Sequence, residues 1–205
     1  MRSSNFSLLA LLQLFSRPKS LFDDIAQSRW SAPAVFFGGS LWIALLPPIF
    51  AFVGASNFGW SFGTGAPLFL STRELVSVSI GYYLALLFGF VSASLVSQWM
   101  AMTYGAQRAL GTHFALITVV ASPLALASIA HLYPQLMINF LVFVPALAWS
   151  LYLLYWGLPI ALETNREQGM LMASSLVAYL LVAAVGLLGI TVVLWTYGIG
   201  PRVWI

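Results

Sequence analysis

LVSVSIGYYLALLFGFVSASLVSQWMAMTY, residues 75–104, holds no aspartate, glutamate, lysine or arginine. Wound as a helix at ~1.5 Å per residue it reaches about 45 Å, more than the ~30 Å of hydrocarbon in a bilayer. Four more runs share its character, at 33–55, 113–133, 136–162 and 170–197, and short loops between them carry nearly all the charge. Lipid offers no partner to a bare N–H or C=O, so such segments must be helices or a closed barrel. Barrel strands alternate apolar and polar residues, whereas these runs are apolar throughout, which excludes the barrel. The fold class is all-α: a polytopic five-transmembrane-helix bundle preceded by an amphipathic interfacial N-terminal segment.

Of 205 residues, 61% are hydrophobic and 6% charged, against about 25% charged in a soluble domain. One membrane domain, 33–205, follows a segment, 1–32, too short to build a second core. The net charge of +3 comes from eight basic residues spread over the loops. They form no patch for nucleic acid, and the lipid bilayer accounts for them as partner. Cysteine is absent, which removes disulfides and thiolate metal sites; no cofactor motif appears. Arg2, Arg17, Lys19, Arg29, Arg108 and Arg166 lie on one side of the runs, Arg73 and Arg202 on the other. Short cytoplasmic loops are enriched in lysine and arginine, so the N-terminus is expected inside and, after five spans, the C-terminus outside.

The run 6–15 behind Arg2 has the look of a signal-peptide core. No small-x-small site follows it and Ser16-Arg17-Pro18-Lys19 continues the chain, so cleavage is not expected. Residues 19–30 set Leu21, Phe22 and Ile25 against Asp23, Asp24 and Gln27, the pattern of a helix lying in the interface. Such a helix orients the first span or serves as a partner-binding arm. The loop after the first span, 54–67, is rich in glycine with Phe58, Trp60 and Phe62 at headgroup depth, and is expected to cap the helix ends.

The second span carries Gly81, Ala85, Gly89, Ala93 and Ser97, a small residue at every fourth position. Such a row lies on one helix face and lets another backbone approach, which makes it the expected helix-packing ridge. Ala178, Gly186 and Gly189 nominate the fifth span as its partner. Pro47, Pro48, Pro123, Pro145 and Pro159 each remove a backbone donor within the spans.

Chemistry is sparse. No charged side chain sits near the middle of a span, which argues against a proton-coupled carrier. His113 and His131 bracket the third span, about 27 Å apart along a helix, too far to share a metal; both are expected at the interface. Ser92, Ser94, Ser97 and Gln98 make part of the second span polar, but no base accompanies them, so hydrogen bonding between helices is expected there and at Asn139. The segment Glu163-Thr164-Asn165-Arg166-Glu167-Gln168-Gly169 places Thr164 and Glu167 at capping-box spacing for the fifth span. Asp23, Asp24, Arg29, Glu163, Arg166 and Glu167 are the candidate cytoplasmic partner contacts.

The stretch 54–72, the segment 149–169 with its Leu153-Leu154-Tyr155-Trp156-Gly157-Leu158-Pro159, and residues 174–198 resemble the Yip family, in its small bacterial inner-membrane branch. Ser16-Arg17-Pro18 followed by Leu21-Phe22 and Ile25 is similar to that family's lead-in. The resemblance implies a five-span bundle in a bacterial inner membrane, cytoplasmic at its N-terminus and periplasmic at its C-terminus. Eukaryotic relatives act with Rab-type GTPases through a long cytosolic arm and an Asp-Leu-Tyr-Gly-Pro motif; this sequence has neither, so GTPase binding is not carried over. For the bacterial branch the resemblance supplies no reaction and no site residues. The expected function is non-enzymatic: membrane organisation, or binding of other membrane proteins or of further copies of the chain. A passive transporter, channel or lipid scramblase is the alternative, and an accessible groove lined by Ser92, Ser94, Ser97 and Gln98 would favour it.

Overall fold

Apolar length sets where the helices run, and local capping chemistry sets where they start. A computed structural model describes residues 14, 17–61 and 65–197. Most of the run 6–15, the loop tip at 62–64 and residues 198–205 lie outside the described residues. A short helix, α1 (Pro18–Gln27), precedes five helices long and apolar enough to span a bilayer: α2 (Ala32–Phe58), α3 (Thr72–Thr103), α4 (Leu110–Leu132), α5 (Leu136–Ala161) and α6 (Arg166–Thr196). All-α architecture with five spans is what the hydropathy required.

α3 opens on a complete capping box. The Ser71 hydroxyl accepts the Glu74 N–H at 3.3 Å, and the Glu74 carboxylate accepts the Ser71 N–H at 2.9 Å. Two of the four orphan donors of a helix start are thereby satisfied. α6 begins differently from expectation. Its cap is Asn165, whose Oδ1 accepts the Gln168 N–H at 2.8 Å, while the Thr164 hydroxyl donates to the Gln168 side chain at 2.9 Å. Asparagine one residue later satisfies one orphan donor, the Gln168 N–H, and takes the place of the expected Thr164–Glu167 box.

α2 is not one regular helix. Its first four residues, Ala32–Val35, are α-helical, Phe36–Ser40 form a π turn, and Leu41–Phe58 resume the α-helix. A π turn inserts a residue and re-aims side chains. Here Ser40 becomes fully buried, its Oγ 2.6 Å from Thr118 Oγ1 of α4. α4 in turn tightens to a 3-10 turn over Ser128–Leu132, which packs on α2. A Cβ at Gly54 would overlap the His131 carbonyl, so the glycine is what permits this close approach.

α4 is the centre of the bundle. Of its apolar window 56% is buried, against 39% for α2, 11% for α3 and for α5, and 6% for α6. It contacts α1, α2, α3 and α5, while α6 rests on α3 and α5. On α3, α5 and α6 the buried side chains gather toward the end that holds α1, the 104–109 loop and the 162–165 turn, termed the basic end. There Phe90, Ala93 and Met100 of α3, Leu153, Leu154 and Leu158 of α5 and Met172, Ala173 and Leu176 of α6 belong to one buried cluster. At the opposite, far end Ile80, Leu84 and Phe88 of α3 and nearly every large residue of α6 from Leu180 onward are exposed. Exposure to lipid costs an apolar side chain nothing, so helices close up only where small side chains and polar contacts reward it.

Candidate functional site

Three regions carry polar chemistry: the basic-end face, a buried hydroxyl file around α4, and a cavity at the far end.

At the basic end the amphipathic segment forms the expected helix, α1, but its apolar face is turned onto the bundle. Leu21, Phe22 and Ile25 are buried, packed mainly against α5. The Phe22 ring meets Trp156 edge-on at 5.9 Å, and a Cβ at Gly157 would run into that ring. The helix is therefore held by the chain's own fourth span rather than by lipid alone. Of the proposed contact residues, Asp24, Arg29, Glu163, Arg166 and Glu167 are exposed and Asp23 is half-buried. Glu163 pairs with Arg108, joining the 104–109 loop to the α5–α6 turn. Glu163 holds this place with φ of 48°, in the left-handed region that disfavours a side chain.

The hydroxyl file follows α4. Thr112, His113, Thr118, Ser122 and Ser128 are buried on it, joined by Ser40 of α2, Ser94 and Ser97 of α3 and Ser150 of α5. Thr118 and Ser122 donate to carbonyls one turn back, at 2.7 and 2.6 Å. His113 is fully buried, not seated at the interface as expected. Its Nδ1 lies 2.8 Å from Ser97 Oγ, and its Nε2 has no hydrogen-bond partner among the described residues. Ser94 donates to the Phe90 carbonyl at 2.7 Å and Ser92 to the Phe88 carbonyl at 2.6 Å. Ser92 and Ser94 thus close on their own helix, and Ser97 closes on α4.

The expected ridge divides at its middle. Ala93 and Ser97 are buried, while Gly81 is exposed and Ala85 and Gly89 are half-buried. A Cβ built at Gly81, Gly89, Gly186 or Gly189 meets nothing. The chain packs only the basic-end half of that row.

At the far end the loop after α2 caps the helix ends through the backbone. Trp60 and Leu68 exchange N–H···O bonds of 2.8 Å, and Ser61 bonds to Pro134 and Leu136 at 3.0 and 3.2 Å. Beneath this cap lies a cavity of about 400 Å³. Its lining includes Phe52, Ser79, Tyr82, His131 and Asn139. Among the described residues no group of three or more histidine or acidic side chains is placed to hold a metal.

A family model described as the Yip1 domain matches residues 12–188. The chain belongs to the Yip1 domain family. It is 34% identical over 185 residues to "Inner membrane protein YohC" of Escherichia coli strain K12, covering 90% of this chain and 95% of that one. The YohC protein of E. coli O6:H1 strain CFT073 matches to the same extent. No solved structure matches the chain. With five apolar helices and these relatives, this Yip1 domain protein is an integral, multi-pass inner-membrane protein.

Sequence reasoning placed the loops that carry the basic-end face but missed three features of this Yip1 domain fold. The Arg108–Glu163 pair joins loops whose proximity depends on how α4 and α5 pair. A hydrogen bond between helices was expected at Asn139, but not that its partner is His131, with Nδ1 2.6 Å from Oδ1 across the α4–α5 turn; the signal was a histidine and an asparagine flanking a short Tyr133-Pro134 turn. The close-approach glycines, Gly54, Gly111, Gly157 and Gly169, lie on four different helices and so make no repeat to notice.

Proposed function

We propose that this protein is a non-enzymatic organiser of the inner membrane that works by binding other membrane proteins. Its N-terminus, α1 and the Arg108–Glu163 face lie in the cytoplasm. The observation that carries this reading is the unpacked far-end surface of α3 and α6. Gly81, Gly89, Gly186 and Gly189 have open space beside them, and the surrounding Ile80, Leu84, Val182 and Val185 are exposed. Small residues among exposed apolar ones suit approach by a helix of another chain. Asp24, Arg29, Arg166 and Glu167 at the basic end offer a polar contact for the same partner's cytoplasmic part. The burial of Ser94 and Ser97 speaks against the passive-transport alternative at the place where it was expected.

Photo-crosslinking in living cells tests the reading. A photoreactive amino acid at Ile80 or Val185 should give discrete protein adducts, and one at the buried Leu153 should give none beyond the chain itself. Adducts to lipid alone from both exposed positions would reject partner binding. Orientation is tested by single cysteines at the exposed Gln107 and Ala66. In intact cells an impermeant maleimide should label position 66 and spare 107; the reverse pattern would invert the topology.

A further inference from the structure

The far-end cavity does not end at its own lining. A second groove, about 250 Å³, runs between α2 and α3 along Leu45, Ile49, Val76 and Ile80, and shares Phe52 and Ser79 with the cavity. Ile49, Val76 and Ile80 are exposed, so the groove is open along its flank, toward what would be the acyl layer. The two spaces adjoin at Phe52 and Ser79 and make one largely apolar trough, whose few polar side chains include His131 and Asn139.

The chemistry around these two side chains can be read atom by atom. Asn139 Nδ2 donates to the carbonyls of Gln135 and Tyr133 at 2.9 and 3.2 Å, which fixes the orientation of the amide. Its Oδ1 therefore faces His131 Nδ1 at 2.6 Å, and an amide oxygen only accepts. His131 must carry its proton on Nδ1, and in the neutral imidazole Nε2 is then a lone-pair acceptor. No described residue donates to that Nε2. Phe143 stacks on the ring at 4.9 Å and holds its plane, while the Gly54 approach holds its backbone. The trough thus offers a pre-positioned acceptor among largely apolar walls. Neither Arg73 nor Glu74 is among the lining, and no other charged side chain is. A phosphate or carboxylate would find no cation there, and an ammonium would find no counter-charge.

We propose that the trough binds one neutral membrane amphiphile bearing a free hydroxyl, of the acylglycerol or long-chain alcohol class. Its chain lies between α2 and α3, and its hydroxyl donates to His131 Nε2. A preformed apolar cleft with a few convergent polar groups is the usual build of a small-molecule site, and the cavity of about 400 Å³ falls in the usual range.

The test uses the full chain in phosphatidylcholine nanodiscs and a 1-monoacylglycerol with a diazirine in its chain. Irradiation should label residues 45–52 and 76–83 saturably. Unlabelled monoacylglycerol should compete, and the matched fatty-acid methyl ester, which has no hydroxyl, should compete about fivefold to tenfold less well, the worth of one hydrogen bond. His131→Phe keeps the stack on Phe143 and removes the acceptor, and should weaken labelling by a similar factor. Where that variant fails to fold, Ser79→Phe, which fills the junction of the two spaces, should abolish saturable labelling. Labelling spread over all exposed helix faces, or equal competition by the methyl ester, would overturn the proposal.

Discussion

At Gly157 the missing side chain is what seats α1. Phe22 is fully buried with its ring where a Cβ at 157 would stand, and Trp156 closes its edge. Gly157→Val should therefore cost about 1–3 kcal/mol by overpacking, seen as a lower thermal midpoint in mild detergent and faster proteolysis near Arg29. Gly89→Val meets open space and should leave the midpoint unchanged. Equal losses at both sites would show that helix propensity, not the Phe22 contact, decides. A second residue-scale prediction concerns Ser97 and His113. Ser97→Ala strands a buried imidazole nitrogen and should destabilise by about 1–3 kcal/mol. The double variant Ser97→Ala, His113→Leu removes both polar partners and should recover part of that loss; a strictly additive loss in the double variant would count against the pair. The seat at Gly157 was not legible in the sequence, and at Ser97 a hydrogen bond between helices was expected but its partner was not. A lone glycine in an apolar run looks like any other, and its contact comes from a helix far earlier in the chain. His113 was legible as a residue near a span end, but not as one turned inward.

The helices themselves were legible, because apolar length is a property of a continuous stretch and needs no partner to read. Runs expected at 75–104 and 136–162 became Thr72–Thr103 and Leu136–Ala161. The π turn at Phe36–Ser40 was not legible; its signature, Phe-Phe-Gly-Gly-Ser, is also that of an ordinary flexible helix start. The cap of α3, Ser71 with Glu74 three residues on, has capping-box spacing before an apolar run, yet it was not among the expected caps. What no stretch could announce was the link between elements made by Arg108 and Glu163. Both groups are partly exposed, so the pair should be worth about 0.2–1 kcal/mol. Arg108→Glu should lower the midpoint through like-charge repulsion, and adding Glu163→Arg should restore most of it. Because exposed charges are screened, the difference should shrink between low and high salt. Failure of the swap to rescue would mean that Arg108 acts through its Nε–H, donated to the Leu162 carbonyl, which the swap removes.

Across the whole molecule, α4 is packed along its length while α3, α5 and α6 pack mainly at one end, and hydropathy is blind to that division. In water a helix face announces its burial by being apolar; in lipid every face is apolar, and only small or polar side chains distinguish inside from outside. The row from Gly81 to Ser97 carries both answers. Ala93 and Ser97 close onto the bundle, and Gly81 and Gly89 stand clear of it. α6 repeats the division: Gly169, Met172, Ala173 and Leu176 are buried, while Gly186 and Gly189 meet nothing. If those open positions face a partner, bulk there should spare the monomer and damage only the association. Gly89→Leu with Gly186→Leu should then fold with an unchanged midpoint in detergent, yet give several-fold weaker protein adducts from a photoreactive residue at Val185. A midpoint lowered by the pair of leucines would instead place these faces inside the bundle. Unchanged stability together with undiminished adducts would show that the partner meets α6 at Val185 without using the small-residue faces, and would overturn their role in the association.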